Sequence, residues 1–332
     1  LDYSTFTLTA LQRNVTDSMR IFLDAIAHPL FTEAEVALAR ERRITALRAE
    51  QDSADRYVDR LALENEYGDH PYAANPLGSA ETVKAATAKQ LQELHGSAVN
   101  RTRLMLVVVG NVTRQQLESL LRPVVKDIPS KDDHPEQELP PIPNADRATS
   151  KLVTRDLPTV YVTGLFPAPN PRSEDYPAMA VGMNILSHRL FEEIRTKRNL
   201  SYAPFSGMRR SQRSVGMLYV TTPDPNAAIT VMRDEVDKMR TTPISDTELK
   251  EGVQQMKTNM LMDTQASGDI AATLGEWELI GGGWQNFDVY LRKLGEVTPE
   301  QVRRAMDKYA HKVDFALLGK VAGVDQKLLE SF

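Results

Sequence analysis

The 332-residue sequence contains no cysteine. That absence excludes disulfides, thiolate zinc sites, iron–sulfur clusters and cysteine nucleophiles. Histidine is scarce, with only His28, His70, His95, His134, His188 and His311, and no two of them lie within five residues of each other. The H-x-x-E-H and H-E-x-x-H zinc arrangements need two imidazoles one helical turn apart, so neither occurs. Nucleophile-elbow, Ser-x-x-Lys and G-x-G-x-x-G patterns are also missing. No apolar run reaches the roughly 18 residues of a membrane-spanning helix, and no membrane insertion is expected. Neither sign of charge dominates: 40 Lys+Arg stand against 45 Asp+Glu, a net charge of −5, which gives no support to a nucleic-acid partner. What remains, 41% hydrophobic and 26% charged, fits a globular chain long enough for two ordinary domains.

Apolar periodicity supplies the elements. Tyr3, Phe6, Leu8 and Leu11 alternate with Ser and Thr as in a strand, and residues 14–27 carry apolar positions at helical spacing up to the stop at Pro29. Thr32 three residues before Glu35 predicts a capping box at the start of a long helix, continued past Asp52 through Tyr57, Leu61 and Leu63. The stretch from Tyr67 to Gly78 has turn composition, and His70 within it is expected to be a structural turn residue among aromatic anchors. A helix over 81–95 leads into residues 103–110, the most hydrophobic run of the chain, expected to be a buried strand; a helix over 113–122 follows. Five prolines between Pro129 and Thr149 mark a linker. Beyond it, strands are expected at 151–153, 159–166 and 215–221. A helix over 176–194 carries one stripe of Met179, Met183, Leu186, Leu190 and Ile194. Gly281–Gly282–Gly283 is expected to be a turn between helices.

The order of elements repeats. Pro29, a capped long helix, a turn and a strand closing at Gly110 are echoed by Pro243, Ser245–Glu248, a long helix, a Gly-rich turn and a strand closing at Gly319. The prolines are 214 residues apart and the glycines 209. A duplicated α+β unit is therefore expected, with domains at 1–128 and 150–332 joined by the linker 129–149. The first copy lacks counterparts for the opening strand and helix of the second. A segment of roughly 70 residues is expected upstream, in keeping with the absence of an initiator Met and a leader.

Chemistry concentrates in Phe191–Glu192–Glu193–Ile194–Arg195–Thr196–Lys197–Arg198–Asn199–Leu200–Ser201–Tyr202. Arg195, Lys197 and Arg198 suit the negative end of a helix, which accounts for the charge. It does not account for Tyr202 at the breaking point after Arg195, where a guanidinium and a phenol together can donate hydrogen bonds to a peptide carbonyl or a carboxylate.

This segment, with HPLFTEAEVALARERRITALRAEQ and GDHPYAANPLGSAETV in the first half, resembles the pitrilysin-like (M16) metallopeptidases. The resemblance spans essentially the whole chain and implies two homologous α+β domains of the mitochondrial processing peptidase type. It implies that Arg195 and Tyr202 are the family's arginine–tyrosine pair, which contacts substrate or the oxyanion across from zinc. The zinc motif falls upstream of this chain. The third zinc ligand belongs on the helix starting near Glu33. Two glutamates seven residues apart would fall on Glu41 and position 48, but position 48 is Arg48, a group with no lone pair to give a metal. Glu50, two residues further, points about 200° away around a helix. The resemblance thus implies a zinc-motif-lacking member of the bacterial paired proteins, with Zn in a zinc-bearing partner, as a heterodimer or alternatively a homodimer, acting on unfolded peptides in the bacterial periplasm or cytoplasm. Its alternatives are a fragment of an active zinc endopeptidase, with Zn in the full-length parent, and a structural subunit like the respiratory core proteins.

Overall fold

The computed structural model describes residues 2–130, 138–142 and 148–332; most of the proline-rich linker, with His134, lies outside them. Five strands form one sheet in the order β1-β5-β2-β4-β3: β1 Ser150–Thr154, β2 Val160–Pro167, β3 Phe205–Arg209, β4 Val215–Thr222 and β5 Asp314–Gly319. β2 pairs antiparallel with β4 along its whole length, Val160 opposite Thr222 through Pro167 opposite Val215, and antiparallel with β5 on its other side. β1 runs parallel to β5, and β3 antiparallel to β4 at the sheet edge. The strand at 205–209 escaped the sequence reading because it is short and broken by Gly207.

Successive side chains of a strand point to opposite faces, and each face has its own cover. On one side Val162, Phe166, Leu218, Val220, Phe315 and Leu317 pack with α7 Tyr176–Leu190, α8 Pro225–Thr241 and α12 Pro299–Tyr309. On the other, Leu165, Val215, Ala316 and Leu318 meet Val58, Leu61 and Ala62 of α3 Ala54–Tyr67, with Leu139 and Ile142 of the linker alongside. The fold is α+β, and a helix of the first half closes the sheet of the second.

The remaining helices are α1 Val15–Ala27, α2 Glu33–Asp52, α4 Ala80–Ala85, α5 Ala88–Ala98, α6 Arg114–Val125, α9 Asp246–Asp263, α10 Ser267–Ile280, α11 Asn286–Leu294 and α13 Gln326–Glu330. Local chemistry starts them where the sequence says. Thr32 and Glu35 form the expected capping box, and Ser245 caps α9 through the Glu248 N–H. The echo extends to a pair not foreseen: Thr87–Gln90 at α5 and Thr298–Gln301 at α12 are both complete capping boxes. The closing glycines also match, with φ of 153° at Gly110 and 143° at Gly319, a region open to glycine alone.

Two expectations fail together. Residues 3–11 and 103–110 join no ladder, and the second is not buried: Leu104, Met105, Leu106 and Val108 are exposed. The repeat explains why. In the second unit β2 bonds to both β4 and β5, the counterparts of these two runs. No described segment bonds to both 3–11 and 103–110, and without partners for its N–H and C=O groups a chain with strand periodicity is not a strand. The helix expected over 81–95 is two helices, because Thr87 starts a new cap after Ala86.

α3 carries a buried carboxyl onto the sheet. Glu66 is 4% exposed, and its Oε1 has no hydrogen-bond partner. Burial first, then the like charge of Asp314, pushes its carboxyl up to about 8. Asp314, which accepts from the Thr149 N–H at 2.6 Å, is raised by burial too. The folded chain therefore holds a proton that the unfolded chain releases. The stability of this contact is full below the ordinary 4.5 and is lost as pH rises toward 8. Glu66→Gln is expected to raise Tm by roughly 2 °C or more at pH 8.5 and by much less at pH 5 in parallel thermal melts. An equal shift at both pH values would place the Glu66 titration elsewhere.

Candidate functional site

α7 determines where Arg195 and Tyr202 stand. The expected stripe is real: Met179, Met183, Leu186, Leu190 and Ile194 are all essentially inaccessible. The helix does not run on to 194 in α form, however. Phe191–Thr196 is a π turn, in which the Lys197 N–H reaches back five residues to the Glu192 carbonyl at 2.9 Å. Asn199, with φ of 52°, ends it. The Asn199 N–H donates to the Arg195 carbonyl at 3.0 Å and the Leu200 N–H to the Ile194 carbonyl at 2.9 Å, a widened form of the two-bond closure that a left-handed residue supplies. Buried Ser201 and Pro204 then pin the chain on either side of Tyr202, which is 76% exposed.

The two residues meet. Arg195 Nη1 donates to the Tyr202 carbonyl at 2.8 Å, and the guanidinium carbon lies 4.0 Å from the centre of the Tyr202 ring. The ring of Phe191, a residue the sequence reading passed over, is centred 4.9 Å from the same carbon. The neighbouring cations are accounted for. Lys197 Nζ lies 2.6 Å from Glu193 Oε1, and Arg198 binds the same carboxylate. These hydrogen bonds, Lys197 first and then Arg198, hold the Glu193 carboxyl down to about 2. Arg195 makes no ion pair among the described residues, so its Nε and Nη2 donors are left for a ligand. The cluster thus divides into a neutralised helix end and one arginine in contact with two aromatic rings.

The other candidates lie elsewhere. Arg48 is exposed on α2, as is Glu41, while Leu47 faces inward. Arg48 forms no hydrogen bond or ion pair among the described residues. Glu50 accepts from Asn75 Nδ2 at 2.7 Å, which commits it to the following turn. No group of three His, Asp or Glu among the described residues is arranged to hold a metal ion. The donor set in hand, an exposed arginine at the expected ligand position and a glutamate engaged by an amide, does not fit zinc. His70 is 4% exposed; its Nδ1 accepts from the Tyr72 N–H at 3.1 Å, its Nε2 donates to the Pro140 carbonyl at 3.1 Å, and Tyr67 and Tyr72 enclose it. It is a turn residue, as its surroundings in the sequence suggest. Gly281–Gly283 joins α10 to α11.

Because Asn199 sits where an L-residue with a branched Cβ is strained, Asn199→Gly is expected to preserve stability. Asn199→Val should cost about 1–2 kcal/mol in urea unfolding. Equal stability of the two variants would remove the left-handed closure as the device that turns the chain toward Tyr202.

Comparison with known proteins agrees with this architecture. A family model described as "Peptidase M16 inactive domain" matches residues 85–256, just over half of the chain. An uncharacterized zinc protease of Streptomyces coelicolor is 23% identical over 333 aligned positions, covering 96% of this chain and 72% of that protein. A probable inactive metalloprotease of Bacillus subtilis is 23% identical, covering 90% of this chain and 71% of its own length. The crystal structure of a peptidase M16 inactive domain from Pseudomonas fluorescens superposes with a TM-score of 0.83 at 20% identity, over 93% of this chain and 76% of that one. No helix among the described residues is long and apolar enough to cross a membrane. By the match of its central 172 residues, the chain belongs to the peptidase M16 inactive-domain family.

Proposed function

We propose that this chain is a zinc-motif-lacking M16 subunit that binds extended peptides and lends Arg195 and Tyr202 to a site completed by a zinc-bearing partner subunit. One observation carries the reading. Of the three cations closing α7, Lys197 and Arg198 are taken by Glu193, whereas Arg195 keeps free donors beside an exposed phenol. A helix end that needed only charge compensation would not leave one guanidinium without an ion pair among the described residues next to a 76% exposed tyrosine. In this arrangement Arg195 offers two N–H groups and Tyr202 an O–H to a peptide carbonyl, preorganised donors of the kind that stabilise charge developing on an oxygen. Zinc in the partner would supply polarisation of the scissile carbonyl and activation of water. This chain's own residues bind and orient the peptide.

The sheet edge nearby is only partly available to a peptide. β3 begins three residues after Tyr202, but the Ser206 N–H already donates to Ser187 Oγ at 3.2 Å. Backbone pairing along the whole of β3 is therefore blocked, and the side chains at 195 and 202 carry more of the recognition. The division into units 1–128 and 150–332 about the linker 129–149 belongs to the same proposal. The rival reading, a piece of an active zinc endopeptidase, draws on the name of the Streptomyces relative; Arg48 weighs against it.

The test is cleavage of an unstructured peptide by this chain, by a zinc-bearing M16 partner, and by the two mixed. Cleavage is expected only in the mixture, reduced about a hundredfold or more by Arg195→Ala and strongly by Tyr202→Ala, with folding unchanged. Cleavage by this chain alone, or a mixture indifferent to both substitutions, would defeat the proposal.

A further inference from the structure

Phe191 has no evident structural employment. It is 43% exposed and belongs to neither hydrophobic cluster, while its neighbours Leu190 and Ile194 are fully buried. Its ring centre lies 4.9 Å from the Arg195 guanidinium carbon, which also lies 4.0 Å from the centre of the Tyr202 ring. A guanidinium is planar and aromatic rings stack on its faces, so its in-plane N–H edge is the part that meets a ligand. Of that edge, Nη1 is spent on the Tyr202 carbonyl. The remaining edge, Nε and Nη2, presents donors in one plane and one direction. An exposed arginine without such ring contacts samples many rotamers, and ordering it on binding costs affinity.

We propose that Phe191 is a positioning residue: it holds the Arg195 guanidinium flat against Tyr202 so that its in-plane edge meets a peptide carbonyl oxygen. The peptide as ligand rests on the function proposed above, whereas the positioning of Arg195 stands on the geometry. Phe191 touches no substrate; it acts through Arg195. The four-residue spacing from 191 to 195, on the same face of the chain as it leaves α7, brings the ring under the guanidinium. The π turn then carries the chain on toward Tyr202, whose ring meets the same guanidinium.

The experiment uses the full chain and two readouts. The first is binding of a fluorescently labelled unstructured peptide, blocked at both ends so that only backbone carbonyls are offered. Phe191→Leu keeps an apolar side chain without a ring and is expected to weaken binding about threefold to fivefold, the scale of an exposed cation–π contact. Phe191→Tyr is expected to stay within about twofold of the parent for the same reason. In the Arg195→Ala background, Phe191→Leu should cost nothing further, because its effect runs through the arginine. The second readout is the side-chain Nε–H signal of Arg195 in 15N–1H NMR, identified by its loss in Arg195→Ala. It should be ordered in the parent and in Phe191→Tyr, and averaged in Phe191→Leu.

An unchanged Nε–H signal in Phe191→Leu overturns the proposal, as does an equal loss of binding with and without Arg195. If the parent binds no peptide, the proposed function fails. The NMR comparison then still decides the positioning role: a signal lost in Phe191→Leu supports it, and a signal retained ends it.

Discussion

The burial of α7 is the constraint on which the rest depends. Ten of its fifteen residues are inaccessible, packed among the sheet, α8, α9, α11 and α12. A fully buried aliphatic side chain contributes about 1.5–3 kcal/mol, so the rotation and position of this helix are fixed by its core stripe rather than by the polar residues at its end. Ile194 is the last anchor of that stripe, and the next residue is Arg195. Whatever follows must leave the core from a point already set. The π turn and the left-handed Asn199 turn the chain within a few residues to the bend that exposes Tyr202. Stability and the geometry of the candidate site are thus determined by the same packing.

The electrostatics sort the residues by role. Glu193 gathers Lys197 and Arg198, satisfying the helix end, and so relieves Arg195 of that duty. The guanidinium meets two aromatic rings and makes no ion pair among the described residues, which leaves its Nε and Nη2 edge open. On α2 the opposite holds: Arg48 is exposed and Glu50 is engaged by Asn75, so nothing there converges on a metal. Among the described residues, donors for an oxygen stand together at Arg195 and Tyr202 and no group is arranged to hold a metal ion. The proposed shared site rests on that asymmetry.

Much of this was legible in the residues. Caps at Thr32 and Ser245, the stripe from Met179 to Ile194 and the internal echo are local or periodic signals, and local signals survive folding. Tyr202 at the break after Arg195, together with the family resemblance, marked the candidate pair, but their mutual contact needed the π turn, which no periodicity announces. Phe191 was hidden because an aromatic residue next to Leu190 looks like core until its exposure is known. Residues 3–11 and 103–110 misled for another reason. Alternation and apolar character report that a segment is able to sit in a sheet, not that neighbouring strands are there to pair with it. β3 went unseen because five residues with a central glycine give too weak a pattern.

The central claim is that the Arg195–Tyr202 pair is a peptide-binding half-site. The most direct test is the structure of this chain with an unstructured peptide bound. The account predicts a peptide backbone oxygen in the plane of the Arg195 guanidinium, on the Nε and Nη2 edge and within reach of the Tyr202 hydroxyl. A peptide bound elsewhere, with Arg195 and Tyr202 untouched, would contradict it.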